Sequence, residues 1–269
     1  MVVDITAIEA RKARQPRRIA LPYALLTLLA LLAVWQAATA LFALPAYLLP
    51  SPLVILSQIK RDWWMLLSHG WITVFEVVTG FVISVLVGVP IAIWVTYSKA
   101  FDHAVYPLIV GSQTIPKVAL APLLLAWFGF GMAPKIVIVV LVAFFPIVIN
   151  SVVGLRGAPV EMLHLARSMG ASPAQIFWRF RLPQALPNIF AGMKLATVLA
   201  VIGAVVAEFV GADSGLGYLI MIAGANFQIA RQFSAIVVLS VVGMIFFWLA
   251  GRIERVCLPW HVSIRSQQS

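Results

Sequence analysis

The sequence predicts an all-α integral membrane protein with about six transmembrane helices, and three observations carry that reading. Of 269 residues, 62% are hydrophobic and only 10% are charged, against roughly 45–50% and about 25% in soluble domains. A soluble core of this length would need far more polar surface to cover it, so the solvent for much of the chain is lipid. Apolar runs of the length that crosses a hydrocarbon core, about 20 residues, recur along the sequence. The charges gather between those runs.

The same numbers exclude other classes. A net charge of +10 could suggest nucleic acid, but the basic residues form no dense stripe interleaved with stacking aromatics. Cys257 is the only cysteine and the four histidines are scattered, so no disulfide framework, metal centre or cofactor site is expected. No Gly-Lys dipeptide occurs, which removes a phosphate-cradling P-loop. Neither a His-Glu-x-x-His helix nor a Gly-x-Ser-x-Gly elbow is present. The chain itself is not expected to hydrolyse a nucleotide or to be an enzyme.

The elements follow in order. Arg11, Lys12, Arg14, Arg17 and Arg18 lie in a basic tail, 1–18, ahead of an apolar run from Ile19 to Ala40. That run exceeds the ~7–15 residues of a signal sequence and more spans follow. It reads as an uncleaved first span, 20–42, although Ala38-Thr39-Ala40 resembles a cleavage site. Residues 43–70 contain Leu49-Pro50-Ser51-Pro52 and an amphipathic stretch through Ile59, Trp63, Trp64 and Leu67, an interfacial helix with its tryptophans at headgroup level. Further spans are expected at 71–97, 104–128, 134–154, 187–210 and 233–251. Pro116, Pro122, Pro134 and Pro146 punctuate the third and fourth, so these face protein or a pathway more than lipid. Gly211 to Gly217 form a glycine-rich bend before Tyr218.

Lys and Arg counts orient the spans. With the N-terminus in the cytoplasm, thirteen basic residues fall inside: the five of the tail, Lys99, Arg156, Arg167, Arg179, Arg181, Arg252, Arg255 and Arg265. Four fall outside: Lys60, Arg61, Lys135 and Arg231. Both termini are therefore expected in the cytoplasm, with a transmembrane domain over 19–252 and a cytoplasmic tail over 253–269.

Ionisable residues within spans are costly and point to function. Glu76 lies in the second span and Lys117, beside Pro116, near the middle of the third, where it is either one half of a structural ion pair or a substrate contact. Gln113 and Thr114, with Ser112, are candidate polar contacts on the same span, and ordinary interhelix hydrogen bonds account for them equally. Lys194 is placed to snorkel to the surface. Glu208 is either an interfacial carboxylate or a gating or pairing group.

The loop between the fourth and fifth spans, 157–186, is too patterned to be disordered. Pro159 suits a first helical position and Glu161 the first turn, where carboxylates favour the helix dipole. Met162, Leu165, Ala166 and Met169 follow one apolar face. Gly170 is placed for a left-handed cap. Ser172-Pro173 restarts a second short helix with Ile176, Phe177 and Phe180 on its apolar face, and Leu182-Pro183 ends it. Two short amphipathic helices hinged at a glycine form a docking knob or lie on lipid headgroups.

At this loop the sequence resembles the membrane-spanning permease subunits of bacterial binding-protein-dependent ABC importers. Their hallmark is Glu-Ala-Ala, three residues, Gly, nine residues, then Ile-x-Leu-Pro. The same spacing here gives His164-Leu165-Ala166, Gly170 and Phe180-Arg181-Leu182-Pro183; His164, Leu165 and Phe180 depart from the pattern. The stretches Ile115 to Pro122, Trp127-Phe128-Gly129, Ala207-Glu208-Phe209 and Gly215-Leu216-Gly217 resemble the branch that moves nitrate, sulfonates, taurine and thiamine-pyrimidine precursors. The resemblance implies a type I ABC importer permease arrangement in the bacterial inner membrane, with a coupling-helix pair between spans 4 and 5. It implies cytoplasmic ATPase subunits docked on Glu161, His164, Leu165, Ala166, Gly170, Phe180, Leu182 and Pro183. An extracytoplasmic binding protein and a second, commonly identical permease subunit complete the expected partners. Glu76, Gln113, Thr114, Lys117 and Glu208 are its pathway or gate candidates. A secondary transporter or channel working without an ATPase is the other reading.

Overall fold

Backbone polar groups in a hydrocarbon solvent must be satisfied within the chain, and an apolar chain does this by forming helices. The computed structural model describes residues 20–259, and among them no strand occurs. The tail 1–18 and Arg265, which weighed in the orientation, lie outside the described residues.

Helix α1 (Ala20–Leu41) leads through a proline-containing turn to α2 (Pro52–Arg61). Ser51 caps α2 and accepts the Val54 N–H, with Pro52 in the first turn where its missing N–H costs nothing. Asp62 breaks the direction, and α3 (Trp63–Tyr97) begins at once. Trp63 and Trp64, expected on an interfacial helix, are the exposed start of this long helix instead. At 1.5 Å per residue α3 is about 50 Å long, well beyond a ~30 Å hydrocarbon core.

Short helices α4 (Lys99–Ala104) and α5 (Tyr106–Gly111) follow, then α6 (Ala121–Phe128) and α7 (Met132–Arg156). Helix α8 (Val160–Ser168) and the single turn α9 (Pro173–Ile176) form the predicted loop pair. Then come α10 (Leu182–Gly211), the short α11 (Leu216–Ala225) and α12 (Ile229–Cys257).

Helix α7 runs through the middle, packed along both α3 and α10. Small residues make that closeness possible: a Cβ on Gly192 of α10 would lie 2.7 Å from the Pro146 carbonyl oxygen of α7. Val77, Val139, Ala143, Ile147, Ala196 and Ala200 fill the layer between the three helices. Helix α12 packs on α10, α11 and α2 and turns Met244, Phe247 and Trp248 outward.

Among the described residues four helices are long and apolar enough to cross a bilayer, and residues 99–128 make a fifth as a bent pair. Several expectations are corrected. The third segment is not one straight helix over 104–128; its two halves meet at 87°. Leu182-Pro183 does not end the second loop helix. The chain passes from α9 through a π turn, Phe177–Arg181, directly into α10, with the Leu182 N–H bonding the Phe177 carbonyl five residues back. Pro183 then falls in the first turn of α10, where its missing N–H costs little, and Pro187 lies inside the same helix. Residues 216–225, just beyond the glycine-rich bend, form a buried helix too short to span, which was not expected.

Candidate functional site

The break in the third segment lies beside the middle of α7. Ser112–Thr114 forms a 3-10 turn, Ile115 is extended as the residue before a proline must be, and Lys117–Leu120 forms a second 3-10 turn. Pro116 and Pro122 withdraw two donors from the helix. Gln113, Thr114, Ile115 and Pro116 are exposed and Lys117 is half-buried. Lys117 Nζ donates to the Gln113 carbonyl at 3.1 Å and sits 4.4 Å from the Phe145 ring centroid. Among the described residues no carboxylate lies within 4 Å of it. Among the described residues Lys117 therefore has no ion-pair partner.

A second cluster lies near the opposite end from the α8–α9 loop. His69, Thr73 and Glu76 stand on one face of α3. Glu76 is fully buried and forms an ion pair with Lys135 in the first turn of α7, and its carboxyl neighbours that of Glu208 on α10. Glu208 is fully buried as well, which rules out an interfacial carboxylate. It accepts from the Thr73 hydroxyl at 2.6 Å and from the Gly217 N–H. The Thr73 oxygen accepts the Leu216 N–H at 2.8 Å, and His69 Nδ1 accepts the Gly215 N–H at 3.0 Å. Three side chains thus satisfy the otherwise orphaned N–H groups at the start of α11. Gly215 has φ +115°, and a Cβ there would fall 2.0 Å from Glu208 Oε1, so only glycine fits. This network joins α3, α7, α10 and α11.

Three of its members were missed by sequence reasoning. Lys135 was counted as a connecting-loop charge but is 3% exposed, because the carboxylate that offsets its desolvation comes from another helix. His69 and Thr73 carried one available signal: with Glu76 they fall at i, i+4 and i+7 within an apolar helix, one face by helical period. Lys194, expected to snorkel, instead pairs with Glu254 of α12 at 2.6 Å.

The α8–α9 loop has a core of its own, in which Ala158, Leu163, Ala166 and Ile176 are buried with Phe180 packed against them. Glu161 is in the first turn of α8, and Pro159 precedes the helix as its cap residue. The inward face runs through Leu163 and Ala166, so the predicted face is rotated: Leu165 is 62% and Met169 78% exposed. The end of α8 is a Schellman motif, with Gly170 N–H on the Arg167 carbonyl and Ala171 N–H on that of Ala166, at φ +78° for Gly170. Ser172 and Gln175 then form a reciprocal capping box. Tyr97 and Phe177 meet edge to face and Arg181 lies over Tyr97, which ties the loop to the end of α3. His164 is exposed; Leu182 and Pro183 are half-buried where the loop joins α10.

The described residues thus form a multi-helix apolar bundle with a broken membrane segment and a polar loop that has a core of its own. Comparison with known proteins is specific. Residues 80–256 match the binding-protein-dependent transport system inner membrane components, and the chain belongs to that family. It is 35% identical over 234 residues to the formylaminopyrimidine transport permease ThiX of Halalkalibacterium halodurans, covering 87% of this chain and 93% of the relative. It is 34% identical over 238 residues to the putative aliphatic sulfonates transport permease SsuC of Bacillus subtilis, covering 87% and 85%. These relatives lie in the branch its motifs resemble. They are named as transport permease subunits, and this chain is likewise a transport subunit rather than an enzyme. Its fold matches the inward-facing MetNI methionine ABC transporter with a TM-score of 0.65 at 21% identity, covering 73% of this chain and 98% of that one.

Proposed function

We propose that the chain forms the translocation pathway of an ATP-driven importer for a small solute of the nitrate, sulfonate or taurine, or pyrimidine-precursor type. Six spans, counting α1 and the bent pair, make the transmembrane domain over 19–252 in the bacterial inner membrane, with both termini cytoplasmic. Cytoplasmic ATPase subunits receive the 157–186 loop, an extracytoplasmic binding protein delivers the solute, and a second copy of the chain completes the pathway.

The observation that carries this reading is the loop's construction. Its helices are held by their own small core, a Schellman cap and a capping box, while Val160, Leu165, Met169 and Trp178 point outward. Apolar side chains presented on a preorganised polar loop suit a protein groove. ATP-driven movement of that groove would be passed to the bundle through the π turn into α10 and through Tyr97 into α3, biasing a two-state helical assembly.

The test is assembly. The cognate ATPase should co-purify with the chain, and the isolated chain should show no ATPase activity. Gly170→Val forces a β-branched residue into φ +78° with open space around it, so the strain acts on the cap alone. Loss of ATPase co-purification and uptake with unchanged membrane insertion is expected. Full assembly and uptake in Gly170→Val would overturn the docking role of the loop. The alternative is a secondary transporter or channel working without an ATPase; uptake that persists without the ATPase and collapses with a protonophore would establish the secondary transporter.

A further inference from the structure

Helix α1 is held to the bundle at its outer end. There Trp35 lies 6.1 Å from Phe233 of α12, ring centre to ring centre, and the Gln36 side chain accepts the Leu53 N–H of α2. Away from that contact, residues 25–34 are exposed all around the helix. Helix α12 is the least buried of the four long helices. Its outward stripe runs through Val237, Val241, Met244, Trp248 and Arg252, three or four residues apart and all exposed. At 1.5 Å per residue, Arg231 and Arg252 stand about 31 Å apart along α12, close to the ~30 Å of a hydrocarbon core. Arg231 is held by Asp62 at the outer corner, so Arg252 falls at the opposite edge with Trp248 one turn inside it. The Arg252 guanidinium lies 4.7 Å from the Trp248 ring centre. Arg255, exposed and about one turn further on, donates to the Gly251 carbonyl at 3.2 Å. No described carboxylate lies within 4 Å of either guanidinium, and Glu254 is buried against Lys194 instead. The outward side of this helix end is thus apolar, then aromatic, then doubly cationic.

We propose that this stripe binds an anionic phospholipid, with acyl chains along Val241, Met244 and Trp248 and the phosphodiester on Arg252 and Arg255. Two guanidiniums at the edge of the hydrocarbon match a phosphodiester in charge and in donor geometry, and each basic group near a membrane surface favours anionic lipid. A second copy of the chain is a poorer occupant. The two-fold axis of such a pair would run along the membrane normal, so α12 against α12 would set four guanidiniums side by side at one depth. The lipid would clamp the end of α12 from outside while Glu254 and Lys194 hold it to α10 from within. In the orientation proposed above, the anionic lipid content of the inner leaflet would then govern how firmly α12 stays on the bundle. The site needs neither cargo nor ATPase, so it stands or falls independently of the importer reading.

Tryptophan quenching tests it. The full chain is reconstituted into phosphatidylcholine vesicles in which the lipid is progressively replaced by acyl-brominated phosphatidylglycerol or by acyl-brominated phosphatidylcholine. The share of the emission due to Trp248 is the difference between the chain and its Trp248→Phe variant. The lipid fraction that removes half of that share should be lower for phosphatidylglycerol by roughly fivefold or more, the effect of about one basic group near a membrane surface. The preference should vanish in the double variant Arg252→Gln, Arg255→Gln and shrink with added salt. Equal quenching by the two lipids overturns the proposal, and so does a preference that survives in the double variant. A Trp248 that neither lipid quenches also overturns it, because the stripe is then covered by protein. Should the double variant fail to insert, the comparison of the two lipids on the unaltered chain still decides.

Discussion

At Thr73 one hydroxyl does two jobs, donating to Glu208 and accepting from Leu216. Thr73→Val keeps the shape and removes both bonds, leaving a buried N–H without its acceptor. Thermal stability of the purified protein should fall by about 1–3 kcal/mol, while an unchanged midpoint would mean that the network holds nothing together. The Glu76–Lys135 pair supports a sharper measurement. Glu76→Gln or Lys135→Met alone strands a buried charge and should cost about 3–5 kcal/mol, whereas the double variant should cost clearly less than the two together. A strictly additive double variant would show that the charges do not meet in the folded protein.

The scale of elements concerns how helices that cannot stand alone are fixed to their neighbours. Helix α11 is too short to span, yet Leu216, Leu219 and Ile220 are buried beside Leu66 and Ala235, and its first N–H groups are held from α3 and α10. The α2–α3 corner is fixed to α12 by Asp62, which Arg231 meets at 2.6 Å and Gln58 at 2.7 Å. Burial would raise the Asp62 carboxyl, but the hydrogen bonds from Arg231 and Gln58 outweigh it and hold it below its ordinary value of 3.8. A lowered folded-state value stabilises above the unfolded value and is lost as pH falls through the folded one. The corner's contribution should therefore be constant at neutral pH, begin to fall below about pH 4 and be lost as pH drops through the lowered folded value. Asp62→Asn should remove that acid-side loss, as read from melting curves across pH.

At the scale of the whole molecule, the proposed orientation has a direct readout in Cys257, the only cysteine and an exposed one at the end of α12. A membrane-impermeant maleimide should label it in inverted membrane vesicles and not in right-side-out ones. The opposite pattern would reverse the topology and move the α8–α9 loop out of reach of any cytoplasmic partner. At this scale too, the chain's relatives make it a permease, while Leu165 and Phe180 stand where the family motif has Ala and Ile.

The features that the sequence alone determined obey local rules. Apolar run lengths located the long helices, and the pattern Gly170, Ser172, Pro173 defined the loop turn, because caps and left-handed glycines are set by neighbours within a few residues. The tertiary structure decided the features that depend on distant partners. Glu76, Lys135 and Glu208 lie on three different helices, so neither their pairing nor the burial of Lys135 can be read from spacing. The rotation of α8 that hides Leu163 and exposes Leu165 is chosen by Ile176 and Phe180 packing back on it. The 87° bend at Pro116 and the continuity across Pro183 show two prolines with opposite outcomes. At the first, Pro116 and Pro122 and an extended Ile115 interrupt the helix. At the second, a π turn lets the helix carry on.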